Sequence, residues 1–429
     1  MMILQKECEL QANLSESLRL QELFLKEKSR LRWISEGDRN TTFFHAMCHA
    51  RRARSSIILL RDGDQVYQDP LTIQNHIVTY YTDLFANHAN YCDTGLISWV
   101  IPSLITDDEN MSLTSVPSSE EIYLALKDMD PDSAPGRDGF NGHFFVSCWA
   151  TVGADVTLVI QFFFQHGSLP ASFNSSMIIL IPKVDHAVTI KEYRPISLSN
   201  FVFKIIPKIM SLRLAFIASR IISPQQHAFV LGKNIADCTI TTSECINLLD
   251  SKCHGGNVAI KMDITKAFDT LSWDFILHVL EAFGFHPTFV LWIRAILHSA
   301  KLSLLVNGRA VGYFSYGRCV SQEDTLSPLL FCLAEEVLSR GISKLLNNGR
   351  LKPISSPQGV MAPSHVLFVD DVIVLCRGDQ RNLTLVMSLF DEYGQNSGQI
   401  INKAKSQVFV SKHIYYRQQS IANSLGIPI

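Results

Sequence analysis

The stretch His365-Val366-Leu367-Phe368-Val369-Asp370-Asp371-Val372-Ile373-Val374-Leu375 decides the fold. Apolar residues run into two adjacent carboxylates and apolar residues run out again, which predicts a β-hairpin with both aspartates at its turn. Side chains alternate across a strand, so neighbouring carboxylates at such a tip cannot both serve a core. Two anions side by side repel, and a fold tolerates them when solvent covers them or a cation sits between them. On its own an Asp-Asp pair is most simply a surface turn. A further carboxylate upstream changes the reading: Asn257-Val258-Ala259-Ile260-Lys261-Met262-Asp263 is an apolar strand that ends in an acid.

If hairpin and strand are neighbours in one sheet, Asp263, Asp370 and Asp371 converge on one edge. Three carboxylates there suit two divalent cations about 3.5–4 Å apart. Magnesium is the expected ion, because it is hard, takes oxygen ligands and shares its shell with substrate phosphates. One ion would lower the pKa of an attacking 3′-hydroxyl and the other would stabilise leaving pyrophosphate. In-line phosphoryl transfer needs mainly this positioning and charge neutralisation. A strand–helix and hairpin–helix arrangement on an antiparallel sheet is the palm of a polymerase, so the expected class is α+β.

The remainder of the chain bounds this reading. At 429 residues with 47% hydrophobic residues it can hold two or three domains with real cores. A net charge of −2 gives no global basic signature, so contacts to nucleic acid must come from local patches. Ten cysteines lack a zinc-finger spacing, and neither a secretory leader nor a membrane-length apolar run occurs. An intracellular location, nucleus or cytoplasm, follows as the expectation. Glu7–Phe44 has helical apolar spacing and predicts one long amphipathic helix. Leu71–Phe85 predicts another helix, and Asn87–Pro117 reads as irregular. Ser118 caps a helix through Met129, and Phe144–Phe164 reads as buried helix. The apolar strand Met177–Lys183 ends in Pro-Lys, and Tyr193–Leu198 is a second strand. If they pair, Lys183 and Arg194 share a loop edge and suit a polyphosphate, the alternative being two ordinary surface cations. Asn307-Gly308 joins a hairpin. Ser327 caps a long helix with Pro328 at its first position. The end of the chain, Ser424–Ile429, reads like the start of a further element.

With these residues in order, the chain resembles the reverse transcriptases of non-LTR (LINE-type) retrotransposons of the kind abundant in plant genomes. RWISEGDRNTTFFHA resembles the segment between endonuclease and polymerase in those elements, and APGRDGF resembles their APGPDG loop. IPK (Ile181–Lys183) with YRPISL (Tyr193–Leu198) resembles two fingers strands. HAFVLGKNIADC (His227–Cys238) resembles AFVxGRxIxDN. KMDITKAFDT (Lys261–Thr270), FVDD (Phe368–Asp371) and SGQIINKAKS (Ser397–Ser406) resemble successive palm motifs.

The resemblance implies a right-hand fingers–palm fold with an antiparallel palm sheet, preceded by a helical N-terminal segment. It divides the chain into a linker region at 1–110, fingers at 111–258 and palm at 259–429, with the thumb missing. It implies an RNA-directed DNA polymerase that joins dNTPs to a DNA primer on an RNA template with two Mg2+ ions. Asp263, Asp370 and Asp371 would bind the metals. Phe268 would be the steric gate against a ribonucleotide 2′-hydroxyl. Lys183 and Arg194 would face the triphosphate, Lys405 would sit near it, and Gln322 would pack against the nascent base pair. One motif departs most from the family, Ser321-Gln322-Glu323-Asp324-Thr325 standing where RQGDP is usual, while Lys233 for Arg and Val369 for Ala are milder departures. Glycine lets backbone approach a substrate closely, whereas Glu323 adds bulk and negative charge beside a polyanion. The alternative reading is therefore a catalytically decayed relic that at most binds RNA.

Overall fold

The computed structural model describes residues 2–29, 41–86, 92–315, 317–318, 324–357 and 362–428. Ser321, Gln322, Glu323 and the Arg32–Asn40 part of the linker motif lie outside the described residues. The chain forms two compact units, a smaller one (1–77, 180–195, 305–311) and a larger one (78–179, 196–304, 312–429). In chain order the described strands are β1 (Leu60–Asp62), β2 (Gln65–Tyr67), β3 (Ser175–Pro182), β4 (Tyr193–Ser199), β5 (Asn257–Asp263), β6 (Lys301–Val306), β7 (Arg309–Ser315), β8 (His365–Phe368), β9 (Asp371–Arg377) and β10 (Gln407–Val410). They make a β1-β2 hairpin and two four-stranded sheets, ordered β4-β3-β6-β7 and β10-β5-β9-β8.

In the smaller unit, the single helix expected over 7–44 is two helices, Met2–Ser29 and Thr41–Ser55. Leu10, Leu14, Leu18, Leu20 and Leu23 are all exposed on the first of them. Its apolar spacing specifies a helix but brings no cover. Asn307 and Gly308 both adopt positive φ, 50° and 82°, as a two-residue turn matching strand twist requires.

The larger unit holds the β10-β5-β9-β8 sheet, antiparallel throughout. Alternation gives its interior strand β5 two different faces. Val258, Ile260 and Met262 point into the main core with Val372, Val374 and Cys376 opposite them, all fully buried. On the other face Ala259 and Leu375 pack under Cys245, Leu249 and Ile354. That cover stops before the Asp263 end. The β8 edge is closed by backbone: Leu367 N–H donates to Gln225 O and His227 N–H to Leu367 O. Helices Leu96–Val100, Trp273–Phe283, Ser327–Asn347 and Gln380–Ser397 bury their apolar residues in the main core.

Three expectations are corrected. The 87–117 stretch, read as irregular, carries helices Leu96–Val100 and Asp107–Thr114. The second is held by a capping box, in which Thr106 Oγ1 accepts from Glu109 N–H and Glu109 reaches back to Thr106 N–H. The aromatic 144–164 stretch is two helices, Gly142–Ser147 and Trp149–His166, separated at Cys148. Ser327 is the first helical residue and not the cap; the cap position is Leu326, which makes no side-chain cap bond and whose own N–H donates to Asp324 at 2.9 Å.

Among the described residues, no helix is long and apolar enough to cross a membrane.

Candidate active site

Phe368 pairs with Asp371, so the β8–β9 turn consists of Val369 and Asp370 alone. This corrects the hairpin reading: Asp370 is at the turn, but Asp371 already belongs to β9. The strand placement matters, because register then fixes its neighbour. Asp371 is the antiparallel partner of Asp263, the last residue of β5. Register partners share a face, so Asp263 and Asp371 project from one side of the sheet, with Asp370 beside them on the turn. Lys261, two residues back along β5, is on that same side. Its Nζ lies 3.0 Å from Asp371 Oδ1. All four side chains sit at the uncovered end of the face, half-buried.

The electrostatics follow. The Asp370 carboxyl is held above its ordinary range, first by burial and then by the negative charges of Asp371 and Asp263; Lys261 opposes the shift. Side by side on the edge is not yet a metal cage: no three His, Cys, Asp or Glu among the described residues are gathered closely enough to hold an ion. The donor set itself fits a hard divalent cation, being all carboxylate oxygen. Asp371 is paired with the Lys261 ammonium at that edge.

The flanking backbone is strained on both sides. Val369 has φ 56° and Lys266 φ 47°. Left-handed backbone at a β-branched residue costs of order 1–3 kcal/mol, and such outliers gather at functional sites. Val369 packs against the main core. Lys266 is fixed by a hydrogen bond from Nζ to Tyr80 Oη at 2.6 Å, its ammonium 4.8 Å from that ring's centroid. The short helix Ala267–Thr270 follows, and its Phe268 stacks on Phe331 with ring centroids 4.4 Å apart.

A second segment braces the Asp263 end. Ser406 Oγ accepts from Asp263 N–H and donates to Asn402 O, while Asn402 N–H donates to Asp263 O at 2.7 Å. This brings the exposed Lys405, in the turn before β10, into the neighbourhood of Asp263. Asp263, Asp370, Asp371, Phe268 and Lys405 thus all belong to the larger unit. Lys183 and Arg194 belong to the smaller one. There Lys183 N–H donates to Glu192 O, its Nζ donates to Lys191 O at 2.9 Å, and Arg194 is exposed on β4.

Behind the edge lies a buried polar chain that the sequence does not suggest. Glu335 is 1% exposed, on the Ser327–Asn347 helix. Its Oε1 lies 3.1 Å from Tyr393 Oη, which is 2.6 Å from Gln399 Oε1; Gln399 Nε2 donates to Ala267 O. A tyrosine has one proton, and the closer, oriented amide oxygen of Gln399 takes it. The contact to Glu335 is then a hydrogen bond only if Glu335 itself carries a proton. Burial drives it the same way, pushing its pKa up to about 8, with Asp370 adding negative charge nearby. His365, with which β8 opens, is also buried; its ring contacts the Ser339 and Ser364 hydroxyls, and burial lowers its pKa to about 3.

Comparison with known proteins gives an independent view. The family profile described as reverse transcriptase (RNA-dependent DNA polymerase) matches residues 181–429. The chain is 28% identical over 382 residues to a Xenopus laevis protein named Transposon TX1 uncharacterized 149 kDa protein, covering 88% of this chain and 28% of that one. It is 26% identical over 266 residues to the retrovirus-related Pol polyprotein from type-1 retrotransposable element R2 of Nasonia vitripennis (61% of this chain, 24% of that one). Against the corresponding polyprotein from type-2 element R2DM of Drosophila melanogaster it is 25% identical over 264 residues, which is 60% of this chain and 24% of the relative's length. The chain therefore spans about a quarter of the length of these curated relatives.

Proposed function

The chain belongs to the reverse transcriptase (RNA-dependent DNA polymerase) family, and from this premise we propose that it is the polymerase region of a non-LTR, LINE-type retrotransposon. In this reading it extends a DNA primer on an RNA template with dNTPs, the 111–258 and 259–429 regions acting as fingers and palm. The relatives named above are animal proteins, so plant kinship rests on the motif resemblance alone. The observation that carries the proposal is the register pairing of Asp263 with Asp371, with Asp370 on the adjoining turn.

Asp263, Asp370 and Asp371 would hold the divalent cations, two Mg2+ ions by the chemistry of an all-oxygen set sharing its ions with phosphates. When bound, the ions supply charge neutralisation at the attacking and leaving oxygens. The chain's own residues orient the substrate. Lys183 and Arg194 would meet the triphosphate, Phe268 the sugar edge, Gln322 the nascent pair, and Lys405 the phosphates from the Asp263 side.

Primer extension on an RNA template with Mg2+ and dNTPs, run beside Asp370→Ala, tests this. Extension abolished by the substitution is expected, because one carboxylate of three is lost. Extension that survives it, in folded protein, would refute the assignment.

A second reading, a decayed copy that only binds RNA, is favoured by Glu323 in the glycine position of the Ser321–Thr325 motif. In the same assay Glu323→Gly should raise incorporation. An inactive parent rescued by that change would identify the decay, and no change would place the defect elsewhere.

A further inference from the structure

Lys261 stands at the carboxylate edge with no part in the chemistry above. It shares a face with Asp263 and Asp371 by alternation and register, and its ammonium is 3.0 Å from Asp371 Oδ1. The three carboxylates are adjacent but not gathered. One of them is turned toward a cation that the chain carries itself.

We propose that Lys261 is the resident counter-cation of the acidic edge: it holds Asp371 while no divalent ion is bound, and it must release Asp371 for the carboxylates to close around one. Lys261 is thus a positioning residue acting through Asp371. This rests on the reading of Asp263, Asp370 and Asp371 as metal ligands. Three unrelieved anions on one open edge would repel, and an ammonium on the same face offsets that repulsion with no external ion. The pair is accessible enough to exchange: side-chain exposure is 36% for Lys261 and 46% for Asp371. Its own strength is therefore modest, as a displaceable partner needs.

The cost appears in metal affinity. Having to free Asp371 from one part-exposed ion pair weakens Mg2+ binding by roughly two- to fivefold. Lys261→Met keeps the stem and removes the charge. Mg2+ binding, followed by isothermal titration calorimetry on the full chain without nucleotide, should become roughly two- to fivefold tighter. Lys261→Arg should leave it near the parent value. In an Asp371→Asn background, Lys261→Met should change little, because the residue through which it acts is gone. Circular dichroism of each variant checks that the fold is kept.

Unchanged or weaker Mg2+ binding in folded Lys261→Met would overturn the proposal, as would equal tightening in the Asp371→Asn background. If Mg2+ binds neither parent nor Lys261→Met, the metal-ligand reading fails and the inference falls with it. Binding seen in Lys261→Met but not in the parent would support it in its strongest form.

Discussion

Glu335→Gln should stabilise the protein, and only above a definite pH. The Glu335 carboxyl is buried, its Oε2 has no hydrogen-bond partner among the described residues, and its pKa is pushed up to about 8 from an ordinary 4.5. An acid whose folded pKa is raised is protonated in both states below the unfolded value, so there it has no effect on stability. As pH rises past that value the unfolded chain ionises and the folded one does not, and stability falls until pH passes the folded pKa. At 1.36 kcal/mol per unit, the penalty is about 3 kcal/mol at pH 7 and about 5 kcal/mol above pH 8. Glutamine is isosteric, cannot ionise, and can still donate to Tyr393. Urea unfolding followed by circular dichroism at pH 4.5, 7 and 8.5 should give curves that coincide at the first pH and separate progressively, the variant being the more stable. A constant offset between variant and parent, of either sign, would refute the neutral buried acid. So would a variant less stable at pH 8.5, which would mean that Glu335 is ionised and held by neighbouring positive charge.

Two further predictions concern the backbone. Val369→Gly should leave stability unchanged or raise it by about 1 kcal/mol, because relief of the left-handed φ of 56° offsets the lost packing. The same change at Val374, in ordinary strand backbone, should cost roughly 3 kcal/mol or more; equal losses at both sites in urea unfolding would show that Val369 is unstrained. Thr106→Ala should cost about 1 kcal/mol through its cap. It should also raise the Glu109 carboxyl pKa measured by NMR, since Arg220 and the Thr106 groups hold that pKa down and the substitution removes the Thr106 hydroxyl that donates to the carboxylate; an unmoved pKa would exclude that hydroxyl bond.

How much of this is legible in the sequence depends on the range of the contacts. β5 and β10 can be read with their observed bounds because each is an apolar run closed by polar residues, and the Asn307-Gly308 turn because its residue types are demanded by its φ values. The Leu96–Val100 helix cannot. It is five residues long, and its apolar side chains acquire meaning only against helices in the Trp273–Phe283 and Ser327–Asn347 stretches. A two-aspartate tip is the simpler pattern and puts Asp371 on the turn; only the pairing of Phe368 with Asp371 moves it into the strand. Glu335 and Glu336 look like an exposed charged stripe on a helix. That helix is covered on nearly all sides, and neither position differs locally from a solvated one. Lys261 is the residue that sequence reasoning overlooks although it need not: strand alternation alone puts it on the face of Asp263. Ser321–Glu323 and the 30–40 stretch lie outside the described residues, so the departure in the glycine motif is a statement about sequence.

The sheet order has a consequence for how the chain is made. β5 is an interior strand, yet neither neighbour adjoins it in sequence: Met262 pairs with Val372, and Ile260 with Val408. A ribosome adding about 5–20 residues per second needs roughly 5–20 s to deliver β9 after β5. During that interval Val258, Ile260 and Met262, fully buried in the finished protein, belong to an apolar strand with both edges unsatisfied. Such a strand is a ready template for a neighbouring chain. The same crossing that lays Asp263 beside Asp371 therefore makes the nascent polypeptide dependent, for those seconds, on whatever shields β5 until its partners emerge.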